Sequence, residues 1–139
     1  MSDYVRKKVV RFKIPQNIVE NIENEIEKEN SWDSIEELLI KKYDVKECGR
    51  TSVNEFVIND GYDSDKRKTH YFLDFLLDYE YGASGDFESV RLLTDKEFEK
   101  YVKKFAKYFN EIGRDELRLV HYSYYNGVDE PSVYEVEEI

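Results

Sequence analysis

The chain's only thiol and its only two imidazoles are Cys48, His70 and His121. A cysteine and a histidine brought together in space can carry nucleophilic catalysis, with the imidazole taking the thiol proton. The surroundings of Cys48 oppose this. Glu47 and Gly49 flank it, and a neighbouring carboxylate raises a thiol pKa where catalysis needs it lowered. No recognisable nucleophile signature surrounds it, so no catalytic role is expected for Cys48.

Metal ligation is no better supported. The sequence has no Cys-x-x-Cys and no His-x-x-x-His, and a soft zinc set needs three or four such ligands. Asp60, Asp63 and Asp65 lie close together, which suggests calcium. Counted from Asp63, however, the third and fifth positions are Asp65 and Arg67, and the glycine that an EF-hand loop needs is Lys68. The cations Lys66, Arg67 and Lys68 would also compete with any bound ion, so a solvated turn is expected. A phosphate loop fails as well, because Gly61 precedes Lys68-Thr69 without the second glycine or the right spacing. No cofactor and no metal are implied.

Carboxylates remain. Asp74 and Asp78 are four residues apart on one strand face, about 13 Å between Cα atoms, too far to share a proton and long for a glycosidase pair. Asp78 and Glu80 are closer, at about 7 Å. Neither has a histidine that the sequence places beside it.

The elements that must position these groups are legible as periodicities. Val10, Phe12 and Ile14 alternate with Arg11 and Lys13 as in a strand, and Pro15 suits the opening of a helix. Ile18, Ile22 and Ile26 with Val19 form the apolar stripe of a helix reaching about Glu29. Ser34 and Glu37 make a capping pattern for a second helix, Ile35 to Tyr43. Ser52 to Ile58 is expected as a strand, ended by Asn59, Asp60 and Gly61, with a polar loop from Tyr62 to Lys68. From His70 to Tyr81 the alternation places Tyr71, Leu73, Phe75, Leu77, Tyr79 and Tyr81 on one side and His70, Phe72, Asp74, Leu76, Asp78 and Glu80 on the other. After a turn at Gly82 to Gly85, Phe87 to Leu93 is expected to return beside it, with Phe75 facing Leu92 and Leu77 facing Val90. Thr94 and Glu97 cap a third helix, Asp95 to Ile112, with Gly113 as its C-cap glycine. Leu117 to Tyr125 is a strand, Asn126-Gly127 a turn, and Ser132 to Glu137 a returning strand opened by Pro131. The last carboxylates, Glu135, Glu137 and Glu138, are expected to fray.

This order, β-α-α-β-β-β-α-β-β, predicts an α+β fold: a mostly antiparallel sheet of five to six strands with about three helices packed on one face. With 139 residues and no repeat or long linker, one domain spanning 1–139 is expected. The lone cysteine, the lack of an apolar leader and the short apolar runs suggest a cytoplasmic, intracellular protein without membrane contact.

Charge points toward function. Lys plus Arg number 21 and Asp plus Glu 31, a net of −10. Such a field repels nucleic acid over most of the surface and attracts basic partners. Direct nucleic-acid binding is therefore not expected, although the basic first segment (Arg6, Lys7, Lys8, Arg11, Lys13) and Lys66–Lys68 depart from the general sign. The strand face carrying Phe72, Asp74, Leu76, Asp78 and Glu80 combines steering acids with apolar contact area. Tyr122, Tyr124 and Tyr125 make a second candidate surface, since tyrosine offers large contact area at little entropic cost. The expectation is a non-enzymatic acidic binding or inhibitor protein. It would occupy a basic, nucleic-acid-binding surface on a partner such as a nuclease, another nucleic-acid-binding enzyme or a toxin, as phage anti-defence inhibitors and toxin-immunity proteins do. Two alternatives are a small hydrolase or nucleotide-processing enzyme using Asp and Glu, and a subunit of a larger assembly.

Overall fold

Alternation extends the first strand well beyond its apolar stretch. In the computed structural model, which describes residues 3–47, 52–83 and 87–125, β1 spans Tyr4–Lys13. Val5, Lys7, Val9 and Arg11 project to one side, and Arg6, Lys8, Val10 and Phe12 to the other. β1 becomes the central strand of a five-stranded sheet. Its neighbours are β3 (Lys68–Ala83) and β5 (Leu117–Tyr125); β2 (Phe56–Asp63) lies outside β3, and β4 (Phe87–Leu92) outside β5. All four strand pairings are antiparallel. With α1 (Gln16–Glu29), α2 (Ile35–Tyr43) and α3 (Asp95–Ala106), the described elements follow the predicted order and fold class. The returning strand expected at residues 132–137 lies outside the described residues, as do the Asn126-Gly127 turn and Cys48.

Local chemistry explains the helix boundaries. Pro15 carries the first free carbonyl of α1, accepting from the amides of Ile18 and Val19. Asn30 ends α1 in the left-handed conformation at φ 53°, and Ser31 N–H closes back onto the Ile26 carbonyl. Ser34 caps α2 by accepting from the Glu37 amide at 3.1 Å. α3 has a full capping box: Thr94 Oγ1 accepts from the Glu97 amide at 3.2 Å and Glu97 Oε1 from the Thr94 amide at 2.9 Å. α3 stops at Ala106, short of the expected Ile112. Glu111, at φ 57°, takes the left-handed position assigned to Gly113, which instead precedes a short 3-10 helix, Arg114–Glu116. Ile112 still reaches the core, through a turn rather than a helix.

Two strand expectations are corrected. β2 starts at Phe56 and runs through Asn59, Asp60 and Gly61, the residues expected to end it. It is an edge strand, where turn-type residues cost little ladder energy. The tight turn comes later, where Asp63 Oδ1 accepts from the amides of Asp65 and Lys66 at 3.0 and 3.2 Å. The hairpin expected between β3 and β4 does not form. β3 pairs with β1 and β2, whereas β4 pairs with β5, placing Val90 opposite Val120 instead of Leu77. β1 takes one edge of β3 from Phe72 to Ala83 and β2 the other from Lys68 to Phe75, while β4 adds to the outer edge of β5.

The three helices share one face of the sheet, here the helix face. Val19 and Ile22 of α1, Leu39 and Tyr43 of α2, and Tyr101 and Phe105 of α3 pack onto strand residues such as Val10, Phe12, Leu73 and Phe75. Burial among them pushes the Tyr43 hydroxyl up to about 12. Phe105 is fully buried, edge-on to Phe56 at 5.2 Å.

Phe105→Ala should cost about 3–5 kcal/mol in urea unfolding, the usual range for an aromatic truncated in a packed core; a loss below about 1 kcal/mol would contradict this packing. A second expectation concerns acid stability. The bidentate Arg91–Glu97 pair, at 2.7 and 2.9 Å, and then the Thr94 amide lower the Glu97 pKa from 4.5 to about 2. The folded-state pKa is depressed, so the stabilisation is present above pH 4.5 and fades as pH falls toward about 2. Glu97→Gln should therefore flatten the stability profile in that window; an unchanged slope there would show that Glu97 is not linked to folding.

Candidate functional site

The strand that supplied the candidate acidic surface does not keep a single alternation. Between Lys8 and Val9 the β1–β3 register shifts: Lys8 stands opposite Asp78 and Val9 opposite Leu76, leaving Leu77 as an extra residue. A bulge of this kind moves everything beyond it to the other face. Phe72, Asp74 and Leu76 therefore point to the far face, away from the helices, while Asp78 and Glu80 lie on the helix side, beyond the end of the helical layer. The structure does not bring the five expected residues together.

Burial decides the matter for three of them. Phe72 and Asp74 are 0 % exposed and Leu76 is 1 % exposed. Asp74 is the buried partner of Arg11. Arg11 Nε donates to Asp74 Oδ1 and Nη2 to Oδ2, both at 2.8 Å, and Asn59 Nδ2 donates to Oδ2 at 3.4 Å. The guanidinium also lies over the Phe72 ring, 4.3 Å from its centroid. A planar cation matched to a planar carboxylate in this way is a structural pair. Alternation with apolar residues assigns Asp74 to a solvated face, and the buried pairing with Arg11 overturns that assignment. The missed signal was Arg11, a cation between Val10 and Phe12 in the middle of the other central strand.

Asp78 and Glu80 are exposed, but cations face them. Lys8 stands opposite Asp78, and Arg6 lies 3.8 Å from Glu80. His121 shares this neighbourhood. Its pKa is lowered chiefly by burial and then by Arg6 and Lys8, with Asp78 and Glu80 acting in the opposite direction. The local field is mixed rather than acidic.

The tyrosines also divide. Tyr122 is fully buried on the far face and stacks with half-buried Tyr124 at 6.0 Å, whereas Tyr125 is 48 % exposed and meets Tyr4 edge-on. They are not one patch, since neighbours on a strand alternate.

The remaining chemical candidates are dispersed. His70 is buried on the far face and His121 lies on the helix side, so the imidazoles do not converge. His70 Nε2 lies 4.0 Å from Asp63 Oδ2, beyond hydrogen-bond reach. Among the described residues, no group of three or more His, Cys, Asp or Glu could hold a metal ion, and no helix is long and apolar enough to cross a membrane.

The most conspicuous exposed group was not anticipated. Trp32, the chain's only tryptophan, is 98 % exposed in the link between α1 and α2. The cap at Asn30 and Ser31 holds one side of the link and the Ser34 cap the other, with the Asp33 amide donating to Ser31 Oγ at 3.1 Å. The α1–α2 unit, residues 16–43, carries eight carboxylates against three cations, Lys28, Lys41 and Lys42, a net charge of −5 within the chain's −10. Glu20, Glu23, Glu25, Glu27, Glu29 and Glu37 are exposed. The sequence did hold a signal: Trp32 belongs to neither helical stripe, and a large aromatic outside both periodicities has no seat in the core.

Comparison of the chain with protein-family models, curated proteins and solved structures gives no match.

Removing the charge of Asp74 should strand a buried guanidinium. Asp74→Asn should lower stability by about 3–5 kcal/mol, as for other broken buried pairs. The double variant Arg11→Met/Asp74→Leu should recover most of that loss, because a well-packed apolar pair avoids the desolvation cost. Denaturant unfolding of both variants checks this, and an Asp74→Asn protein as stable as the parent would return Asp74 to the surface.

Proposed function

We propose that the protein is a non-enzymatic binding protein that occupies a basic surface of a partner protein through its α1–α2 unit. The observation that carries this reading is a fully exposed tryptophan held in a capped connection within a unit of net charge −5. Tryptophan is the residue most enriched among interface hot spots, where its truncation commonly costs 2 kcal/mol or more. Carboxylates around such an anchor raise the encounter rate with a cationic partner and exclude acidic ones. Glu20, Glu23 and Glu27 repeat along α1 at an axial rise of about 4.5 and 6 Å. A surface that tracks nucleic-acid phosphates would meet in them a similar line of negative charge. The partner class is therefore a protein with a phosphate-binding surface, such as a nuclease, another nucleic-acid-binding enzyme or a toxin, and the biological role is inhibition by occupancy.

The lone tryptophan is its own reporter. On titration with a captured partner, Trp32 emission should shift to the blue as the indole leaves water. Trp32→Ala should weaken binding about 30-fold or more, mainly through faster dissociation. Glu20→Lys/Glu23→Lys/Glu27→Lys should slow association and remove most of its salt dependence. Both variants should fold, since the changed residues are exposed. Wild-type affinity in both folded variants would sink this reading.

A further inference from the structure

The unit that holds Trp32 out in water also offers an apolar recess. Between α1 and α2 runs an open groove of about 420 Å³. Sites that take a drug-sized group measure about 300–1,000 Å³, so the groove has room for an indole. Buried Ile22 and half-buried Ile18 and Leu38 supply its apolar lining. Lys41 and Lys42 edge it on the α2 side and Glu25 on the α1 side, all three exposed. The indole does not enter the groove of its own chain, since it is 98 % exposed.

Charge matches the anchor to the groove. From residue 27 to residue 37 the chain carries five carboxylates against one cation, Lys28. The groove edge has the opposite balance, two ammonium groups against one carboxylate. Anchor and groove lie at different places on one helical hairpin, so a two-fold axis midway between them lets each of two copies fill the groove of the other. An isologous contact of this kind closes on itself as a dimer.

We propose that the chain pairs with a second copy of itself, each Trp32 entering the α1–α2 groove of the other. The proposal shares Trp32 with the functional reading but rests on that residue's exposure, not on a basic partner. Two indoles bury about 300–500 Å². The grooves that receive them lose a similar area, for a total of about 600–1,000 Å², at the lower limit for specific interfaces. The pairing is therefore weak and reversible. The lysines select the groove, but each copy as a whole carries −10, a repulsion that salt screens. Self-pairing should thus strengthen with salt, whereas binding to a basic partner weakens with it. A paired chain hides its anchor, so a basic partner must compete with the second copy for Trp32.

A concentration series of the full chain tests the pairing. From about 5 to 500 µM, a range that brackets the affinity of so small an interface, sedimentation equilibrium should show the mass rising toward twice the monomer's. Trp32 emission should shift to the blue over the same range, and the indole ring current should move the methyl signals of Ile18, Ile22 and Leu38. Trp32→Ala should stay monomeric and leave those methyl signals still. Two groove variants keep Trp32: Asn21→Tyr, which lays a ring over the groove from an exposed lining position, and Lys41→Glu/Lys42→Glu. Each should weaken the pairing about tenfold or more. All the changed positions are exposed, so the variants should fold, and circular dichroism checks this. A wild-type mass that stays monomeric at the highest concentration would overturn the proposal. So would pairing that survives in Trp32→Ala or in both groove variants, because the contact would then run through another surface. Binding to a basic partner is measured separately, on dilute chain, so either reading can fail while the other stands.

Discussion

The Arg11–Asp74 pair fixes the two central strands against each other. It is fully buried on the far face, bidentate at 2.8 Å, and shared between β1 and β3. A one-residue slip would drive either the guanidinium or the carboxylate into the aromatic layer beneath the helices, because side chains change face at every residue. An uncompensated charge there costs several kcal/mol, more than any single cross-strand contact returns. The pair therefore selects one register out of several that the apolar pattern alone would allow. β2 and β5 then inherit that register through their own ladders with β3 and β1.

Beyond the pair, the register has to break. β3 spans sixteen residues and β1 ten, and the Leu77 bulge absorbs one residue between them. The bulge keeps Leu77 over the helix-side core while turning Asp78 and Glu80 toward Arg6 and Lys8. Without it, Asp78 would stand on the far face opposite Lys7, and the basic patch on the helix side would lose its counter-charges. A single inserted residue thus separates two electrostatic environments on one strand.

How much the sequence could reveal follows from the range of each interaction. α2 and α3 were legible because their caps lie within a few residues: Ser34 with Glu37, and Thr94 with Glu97. The far boundary of α3 was not, because Phe109 and Ile112 are recruited to the core by Phe12 and its neighbours rather than by helical hydrogen bonds. Strand existence was legible from alternation, but strand partnership was not. Phe87–Leu92 had apolar matches on both β3 and β5, and in the sheet it joins the edge of β5 that β1 leaves open. That is a property of the assembled sheet, with no local trace. The candidate acidic face failed for the same reason. Its alternation was real up to Leu76, but the bulge depends on β1, and the burial of Asp74 depends on Arg11, sixty-three residues away. Trp32 shows the converse, since its exclusion from both helical stripes could have been read directly.

The charge on α1 cannot be explained by the needs of the helix. Glu23 and Glu27, and likewise Glu25 and Glu29, are like charges four residues apart, a spacing that destabilises a helix by about 0.2–0.5 kcal/mol per pair. Within α1 Lys28 is the only cation to offset them, and Lys41 and Lys42 of α2 line the groove that Glu25 also lines. The C-terminal end of α1, where the backbone dipole favours cations, also carries Glu27 and Glu29. Solubility alone would be served as well by acids spread over the exposed surface. Here they are concentrated on the one element whose end presents a fully exposed indole. A charge that weakens its own helix yet surrounds a ready anchor makes physical sense if its compensation comes from outside the molecule, from a cationic surface that neutralises the carboxylates as it buries Trp32.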